Sequence, residues 1–166
     1  MVNIASDTTV RIRHDFRPGD VGAIVYLHGT LYAEEYGFDH TFEPYVAIPL
    51  SEFVRSKTGR EKIWIVEKGG KVQGSLAIVA CTENQAQLRW LLLHPDLRGT
   101  GMGKQLVGKA VAFSREAGYK SVFLWTVRGL AAATEIYRSA GFTLTETNPH
   151  TIWGRELTEE RYELPL

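Results

Sequence analysis

Cysteine is nearly absent from this sequence. Cys81 stands alone among 166 residues, so no disulfide can form within the chain and nothing ties it to an oxidising compartment. The apolar run Leu76-Ala77-Ile78-Val79-Ala80 before it makes a small buried hydrophobe the expected role of Cys81, ahead of a reactive thiol. Net charge is missing too: 19 Lys and Arg face 19 Asp and Glu, whereas a dedicated nucleic-acid binder shows a basic excess. No apolar run reaches the roughly 18 residues of a membrane-spanning helix. Met1 to Asp7 show neither the basic nor the apolar region of a signal peptide. The expected compartment is the cytoplasm, with no nucleic acid and no membrane among the partners. The five histidines (14, 28, 40, 94 and 150) share no metal-ligand spacing, so no metal is expected.

What is there is an ordinary globular composition, 44% hydrophobic and 23% charged, at a length that fits one domain over residues 1–166. Val10 to His14 alternates like a half-buried strand. Pro18, Gly19 and Asp20 break it and open a helix, with Asp20 as cap, that runs to about Tyr36 and stops at Gly37. A second helix follows over about 41–57, where Pro49 should kink or divide it. Strands are expected over 62–67, 72–81 and 85–93, the first two joined by a turn carrying Gly69 and Gly70. Then come a helix closed by Gly118, a strand over 120–127 and a short helix over 130–140. Two last strands, near 142–146 and 161–164, bracket an irregular segment. The order β-α-α-β-β-β-α-β-α-β-β implies an α/β domain with a mixed sheet, an antiparallel meander in front and β-α-β crossovers behind.

The strongest chemical signal is the loop Arg98-Gly99-Thr100-Gly101-Met102-Gly103, between the strand end Leu91-Leu92-Leu93 and a helix. Closely spaced glycines let successive backbone N–H groups turn to one point, and the helix N-terminus adds partial positive charge. Together they suit a phosphate or pyrophosphate. Both nucleotide fingerprints fail on spacing. The third glycine comes one residue early for G-x-G-x-x-G, and Gly103-Lys104 is followed by Gln105 where a P-loop needs Ser or Thr. A turn that merely joins strand to helix is the alternative.

The surrounding residues carry a resemblance. Leu91-Leu92-Leu93-His94-Pro95-Asp96-Leu97-Arg98-Gly99-Thr100-Gly101-Met102-Gly103 resembles the acetyl-CoA motif of the Gcn5-related N-acetyltransferases (GNAT), roughly V-x-P-x-x-R-G-x-G-x-G/A. Ile136-Tyr137-Arg138-Ser139-Ala140-Gly141-Phe142 is similar to the L-Y-x-x-x-G-F signature of that family. The agreement in element order extends over essentially the whole chain. The segments His28 to Gly37 and His150 to Leu157 resemble more closely the acetyltransferase domains fused behind MarR-type modules, here without the winged-helix half. The resemblance implies a splayed central sheet and acetyl-CoA as co-substrate. It implies that backbone amides from Arg98 through Gly99, Thr100, Gly101, Met102 and Gly103 hold the pyrophosphate, and that Leu91, Leu92 and Leu93 pair with pantetheine. Tyr137 would be the general acid for the CoA thiolate; a core tyrosine is its alternative. Arg89, Lys104, Lys109, Arg128 and Arg138 are candidate cations for the phosphate-rich end of CoA, and Lys104, beside the loop, is the one expected to bind there. One departure stands out: Leu130 occupies the position where many members carry an asparagine that contacts pantetheine, so that contact is not implied.

Acetyl transfer to an amine needs a neutral nucleophile, a donor for the oxyanion and a proton for the thiolate. Backbone N–H groups near Leu91 to Leu93 would polarise the carbonyl. For the acceptor side, Glu35 is the candidate base, with Tyr32, Glu34, Tyr36 and His150 as substrate contacts; solvated helix-end charges and an exposed histidine are the alternatives. The expected activity is acetyl-CoA-dependent N-acetylation of a primary amine, of a small molecule or peptide, by direct attack on the thioester. A non-catalytic acetyl-CoA-binding sensor or partner-binding module is the alternative, and a homodimer is compatible with either.

Overall fold

The computed structural model describes residues 8–166; residues 1–7, read above as lacking a signal peptide, lie outside them. The strands are β1 (Val10–Arg13), β2 (Lys62–Lys68), β3 (Lys71–Ala80), β4 (Gln85–Leu93), β5 (Ser121–Val127), β6 (Thr143–Ile152) and β7 (Arg155–Pro165). The helices are α1 (Asp20–Tyr36), α2 (Phe42–Ser56), α3 (Met102–Glu116) and α4 (Ala131–Ser139). The strands form one sheet in the order β1-β2-β3-β4-β5-β7-β6. Every neighbouring pair is antiparallel except β4 with β5.

Each face of the sheet buries its own core. Ile24 of α1 and Val46, Leu50 and Phe53 of α2 pack on Ile63, Ile65 and Ala77. On the opposite face Leu106, Val107 and Ala110 of α3 cover Val66, Leu76, Leu88 and Leu124. The side-chain period of two explains the division, since consecutive β2 residues such as Ile65 and Val66 point to opposite layers. α2 runs unbroken through Pro49. The apolar anchors on both sides of the proline are buried, so packing holds the helix where one backbone hydrogen bond is lost. Asp20 is not the cap of α1; Gly19 is, at φ 93°. The Asp20 carboxylate instead takes both arms of the Arg13 guanidinium, at 2.6 Å each.

Two further sequence expectations are corrected. Cys81 is exposed, because β3 ends at Ala80 and the chain turns there, with the Cys81 amide donating to the Gln85 carbonyl (3.0 Å). The segment expected to be irregular is a long hairpin, β6 and β7, closed by Trp153 and Gly154 at φ 53° and 76°. β6 is the last strand of the sheet, which is why it tolerates Pro149 and a polar sequence.

Among the described residues, no helix is long and apolar enough to cross a membrane.

Candidate active site

The site starts from a parting in the sheet. β4 and β5 pair only at Gln85–Ser121, Ala86–Val122 and Gln87–Phe123; beyond Gln87 the strands separate. A bulge in β4 lies at the parting, where Trp90 and Leu91 together oppose Leu76 of β3. Trp90 adopts φ 53°, a conformation that costs an L-residue about 1–2 kcal/mol, and the Ser75 hydroxyl pins it by donating to the Trp90 carbonyl (2.7 Å). The bulge puts Arg89 and Trp90, consecutive in sequence, along one cavity, and it leaves the end of β4 facing the parting without a strand partner.

On one side of the parting lies a cleft bordered by Leu91, Leu92 and Leu93, Arg98, Gly103 and the start of α4. The loop closes its end. Gly99 and Gly101 take φ 72° and 83°, conformations open to glycine, and Gly101 caps α3. Gln105 is the first amide of α3 bonded back along the chain, to the Gly101 carbonyl (3.0 Å). The amides of Met102, Gly103 and Lys104 are the free donors that any helix start presents. Gly103 is a close approach: a Cβ there would come within 2.7 Å of Ile136 Cδ1 on α4. Arg98 is tied down by its Nε donating to the Leu93 carbonyl (3.0 Å) and by an ion pair with Glu35 (2.7 Å).

On the other side is an aromatic cavity, open to solvent, between α1, α2, β4, β5, α4 and the β6–β7 hairpin. Trp153 is locked into its wall by rings of Phe38, Phe42 and Tyr45 at 4.9–5.1 Å. The two spaces meet at Tyr32, Leu91, Leu130 and Ala133, which border both. Tyr137 lines the cavity beside this junction. Its ring packs near Phe142 and Tyr162, and its hydroxyl has no hydrogen-bond partner among the described residues. Burial, with a smaller contribution from Tyr32, drives the Tyr137 hydroxyl far above the ordinary tyrosine value, so it stays protonated.

His28, singled out by sequence only as part of a resemblance, lies in this cavity stacked on Tyr32. Its Nδ1 is 2.7 Å from the Ile24 carbonyl. A carbonyl only accepts, so Nδ1 carries the proton and Nε2 is left as an acceptor. Burial pushes its pKa down to about 4, against a weaker opposing effect of that hydrogen bond. The sign follows: between pH 6.5 and 4 the unfolded chain binds a proton that the folded chain does not, so stability rises with pH across that window. Urea unfolding at pH 7 and pH 5 is expected to show a lower midpoint at pH 5, and His28→Gln should remove that part of the difference.

The acceptor-side candidates do not all gather. Tyr32 lines both spaces, but Glu35 and Tyr36 border only the cleft, and Glu35 is engaged by Arg98. Glu34 is exposed and borders neither. The expectation that Glu35 faces the acceptor is therefore corrected: the last turn of α1 points it toward the loop. His150 sits on β6 and not in a loop, and borders a separate shallow surface. Its Nε2 lies 2.7 Å from Glu159 Oε2. Glu159 is the carboxylate that sequence reasoning missed. It lies in the cavity, on the same β7 face as Leu157, while Glu160 turns the other way to Arg128 and Tyr162. Arg89, expected near the phosphates, also lies in this cavity. Among the described residues no group of His, Cys, Asp and Glu is placed to hold a metal.

The chain is similar to known proteins across this region. Residues 27–142 match the model of the acetyltransferase (GNAT) family. An uncharacterised N-acetyltransferase of Schizosaccharomyces pombe is 30% identical over 126 residues, covering 72% of this chain and 74% of that protein. Human N-acetyltransferase 8B is 31% identical over 97 residues, covering 55% of this chain but only 43% of the human protein. The chain thus spans less than half the length of that relative. In fold it is similar to yncA of Salmonella typhimurium, a putative acetyltransferase solved with acetyl-CoA. That likeness has a TM-score of 0.74 at 18% identity, over 94% of this chain and 93% of that one.

Proposed function

The chain belongs to the acetyltransferase (GNAT) family, and from that premise we propose that it moves the acetyl group of acetyl-CoA to a primary amine of a small molecule or peptide by direct attack on the thioester. The observation that carries this reading is the parting between β4 and β5. It joins a cleft ending in free loop amides to an aromatic cavity, with an unpartnered Tyr137 hydroxyl beside the junction. The donors from Gly99 to Lys104 suit the pyrophosphate of acetyl-CoA, and the unpaired edge of β4 from Leu91 to Leu93 suits the pantetheine amides, in the manner of strand addition. The ion pair with Glu35 holds Arg98 at the mouth of the loop.

In the reaction the amine nitrogen forms a bond to the thioester carbonyl carbon, and the carbon–sulfur bond breaks. Tyr137 donates to the departing sulfur, and the proton shed by the amine leaves toward Glu159 and solvent. Glu159, with His150 behind it, is the cavity carboxylate that can attract an ammonium and accept its proton through water. Thiol release from acetyl-CoA over a panel of amino acids, polyamines and peptides tests the reading. Binding of acetyl-CoA without turnover of any amine would favour the sensor alternative. With an amine that is turned over, Glu159→Gln is expected to lower kcat/KM about tenfold or more at neutral pH, with acetyl-CoA affinity unchanged. Parent-like kinetics would move the base elsewhere.

A further inference from the structure

Arg89 is a cation in the wall of the acceptor cavity. Its guanidinium lies over the rings of Trp90 (5.0 Å) and Tyr45 (5.9 Å), and it forms no ion pair among the described residues. Glu159 lies in the same cavity, but its Oε2 is engaged by His150 Nε2 at 2.7 Å. The neighbouring residue adds a second unmet donor: Trp90 Nε1 is buried and has no hydrogen-bond partner, on a side chain only 8% exposed. A buried N–H without an acceptor is costly and uncommon in folded proteins. The bulge that brings these two residues side by side is itself held in a strained conformation. A cavity for a purely cationic amine gains nothing from an arginine in its wall, because like charges repel there.

We propose that the acceptor is an amine that also carries a carboxylate, of the amino-acid type, with the carboxylate bound by the Arg89 guanidinium and the amine directed to the parting of β4 and β5. Arg89 and Leu91 both border the cavity and Leu91 also borders the cleft, so the amine of a small molecule held at Arg89 can reach the junction of the two spaces. A guanidinium in an aromatic wall, poorly hydrated and planar, suits a carboxylate. The aromatic rings receive the remaining apolar part of the acceptor, and Glu159 faces its ammonium. The inference deepens the acetyltransferase reading and rests on it for the identity of the reaction, but not for the binding site.

The experiment compares the common L-amino acids with their C-terminal amides, which keep the amine and lose the negative charge. Binding to the CoA-loaded protein is followed by ligand-observed NMR, and turnover by thiol release. At least one amino acid is expected to bind and to react with kcat/KM about tenfold or more above its amide, the worth of one charge-assisted contact. Arg89→Gln should collapse that ratio to near unity with acetyl-CoA affinity retained, and Arg89→Lys should keep part of it. A ratio near unity in the parent, or one untouched by Arg89→Gln, overturns the inference and leaves the acetyltransferase reading standing. Amino acids that bind through Arg89 yet release no thiol would leave the site standing and overturn the reaction. No binding of any amino acid overturns the site.

Discussion

Tyr137→Phe is expected to lower kcat by about 10²–10⁴-fold, the range for loss of a positioned acid, with acetyl-CoA affinity and stability close to the parent. Two features separate the chemistry from the packing. The ring, 5% exposed, is held near Phe142 and Tyr162, and phenylalanine preserves its volume. The hydroxyl meets no protein partner among the described residues, so its removal orphans no buried group. Burial keeps it protonated far into the alkaline range, whereas an ordinary thiol ionises near about 8.5. In the proposed reaction the hydroxyl would stabilise the thiolate as a donor while the carbon–sulfur bond breaks, since complete loss of its proton is uphill. Thiol-release kinetics and an acetyl-CoA titration check this, and a kcat equal to the parent's would leave Tyr137 a packing residue with water serving the sulfur.

Much of the fold was legible because its elements carry local signals that agree with their packing. Gly37 and Gly118 end helices at positive φ, as their sequence positions indicate, and the apolar period of α3 matches the face it buries. The β6–β7 hairpin was not legible, for a physical reason. β6 is an edge strand that buries little, so it has no apolar alternation to display, and Pro149 reads as a breaker anywhere but an edge. Its turn carries Trp153 where a two-residue turn ordinarily has Asn or Gly. Long-range packing against Phe38, Phe42 and Tyr45 holds that tryptophan in place, together with the Asp39 amide donating to its carbonyl (3.0 Å).

The same division runs through the site. The loop is a contiguous glycine-rich stretch, and Tyr137 stands in a contiguous segment that carries the family resemblance. The aromatic cavity is assembled from six separate elements, and Arg89 and Glu159 lie in stretches without a motif. Which face Glu159 takes depends on the register of β7, and a bulge no local pattern announces turns Trp90 to the face of Arg89. Glu35 was misdirected by proximity in sequence to Tyr32. Three residues along a helix nearly complete a turn, but here the step carries the side chain from the shared junction to the loop, where Arg98 holds it.

Gly99→Asp is expected to weaken acetyl-CoA binding about 100-fold at low salt, while Gly99→Asn changes it little. Gly99 is the right position for the test because its Cβ would meet nothing within 4 Å, and Asp and Asn are the side chains that best tolerate its φ of 72°. The two variants share shape and backbone strain and differ in one negative charge. At an effective dielectric of about 20, two unit charges 4 Å apart interact by about 4 kcal/mol, and screening at an exposed loop trims this to roughly the 2–3 kcal/mol behind a 100-fold change. Gly103 would be a poorer choice. A Cβ there presses Ile136 at 2.7 Å, and Ile136 precedes Tyr137 on α4, so a substitution would disturb α4 along with the loop. The charge effect should shrink in 1 M salt, where the Debye length falls to about 3 Å, as measured by titration calorimetry at both salt concentrations. Equal affinities for the Asp and Asn variants at low salt would mean that the pyrophosphate lies away from these amides.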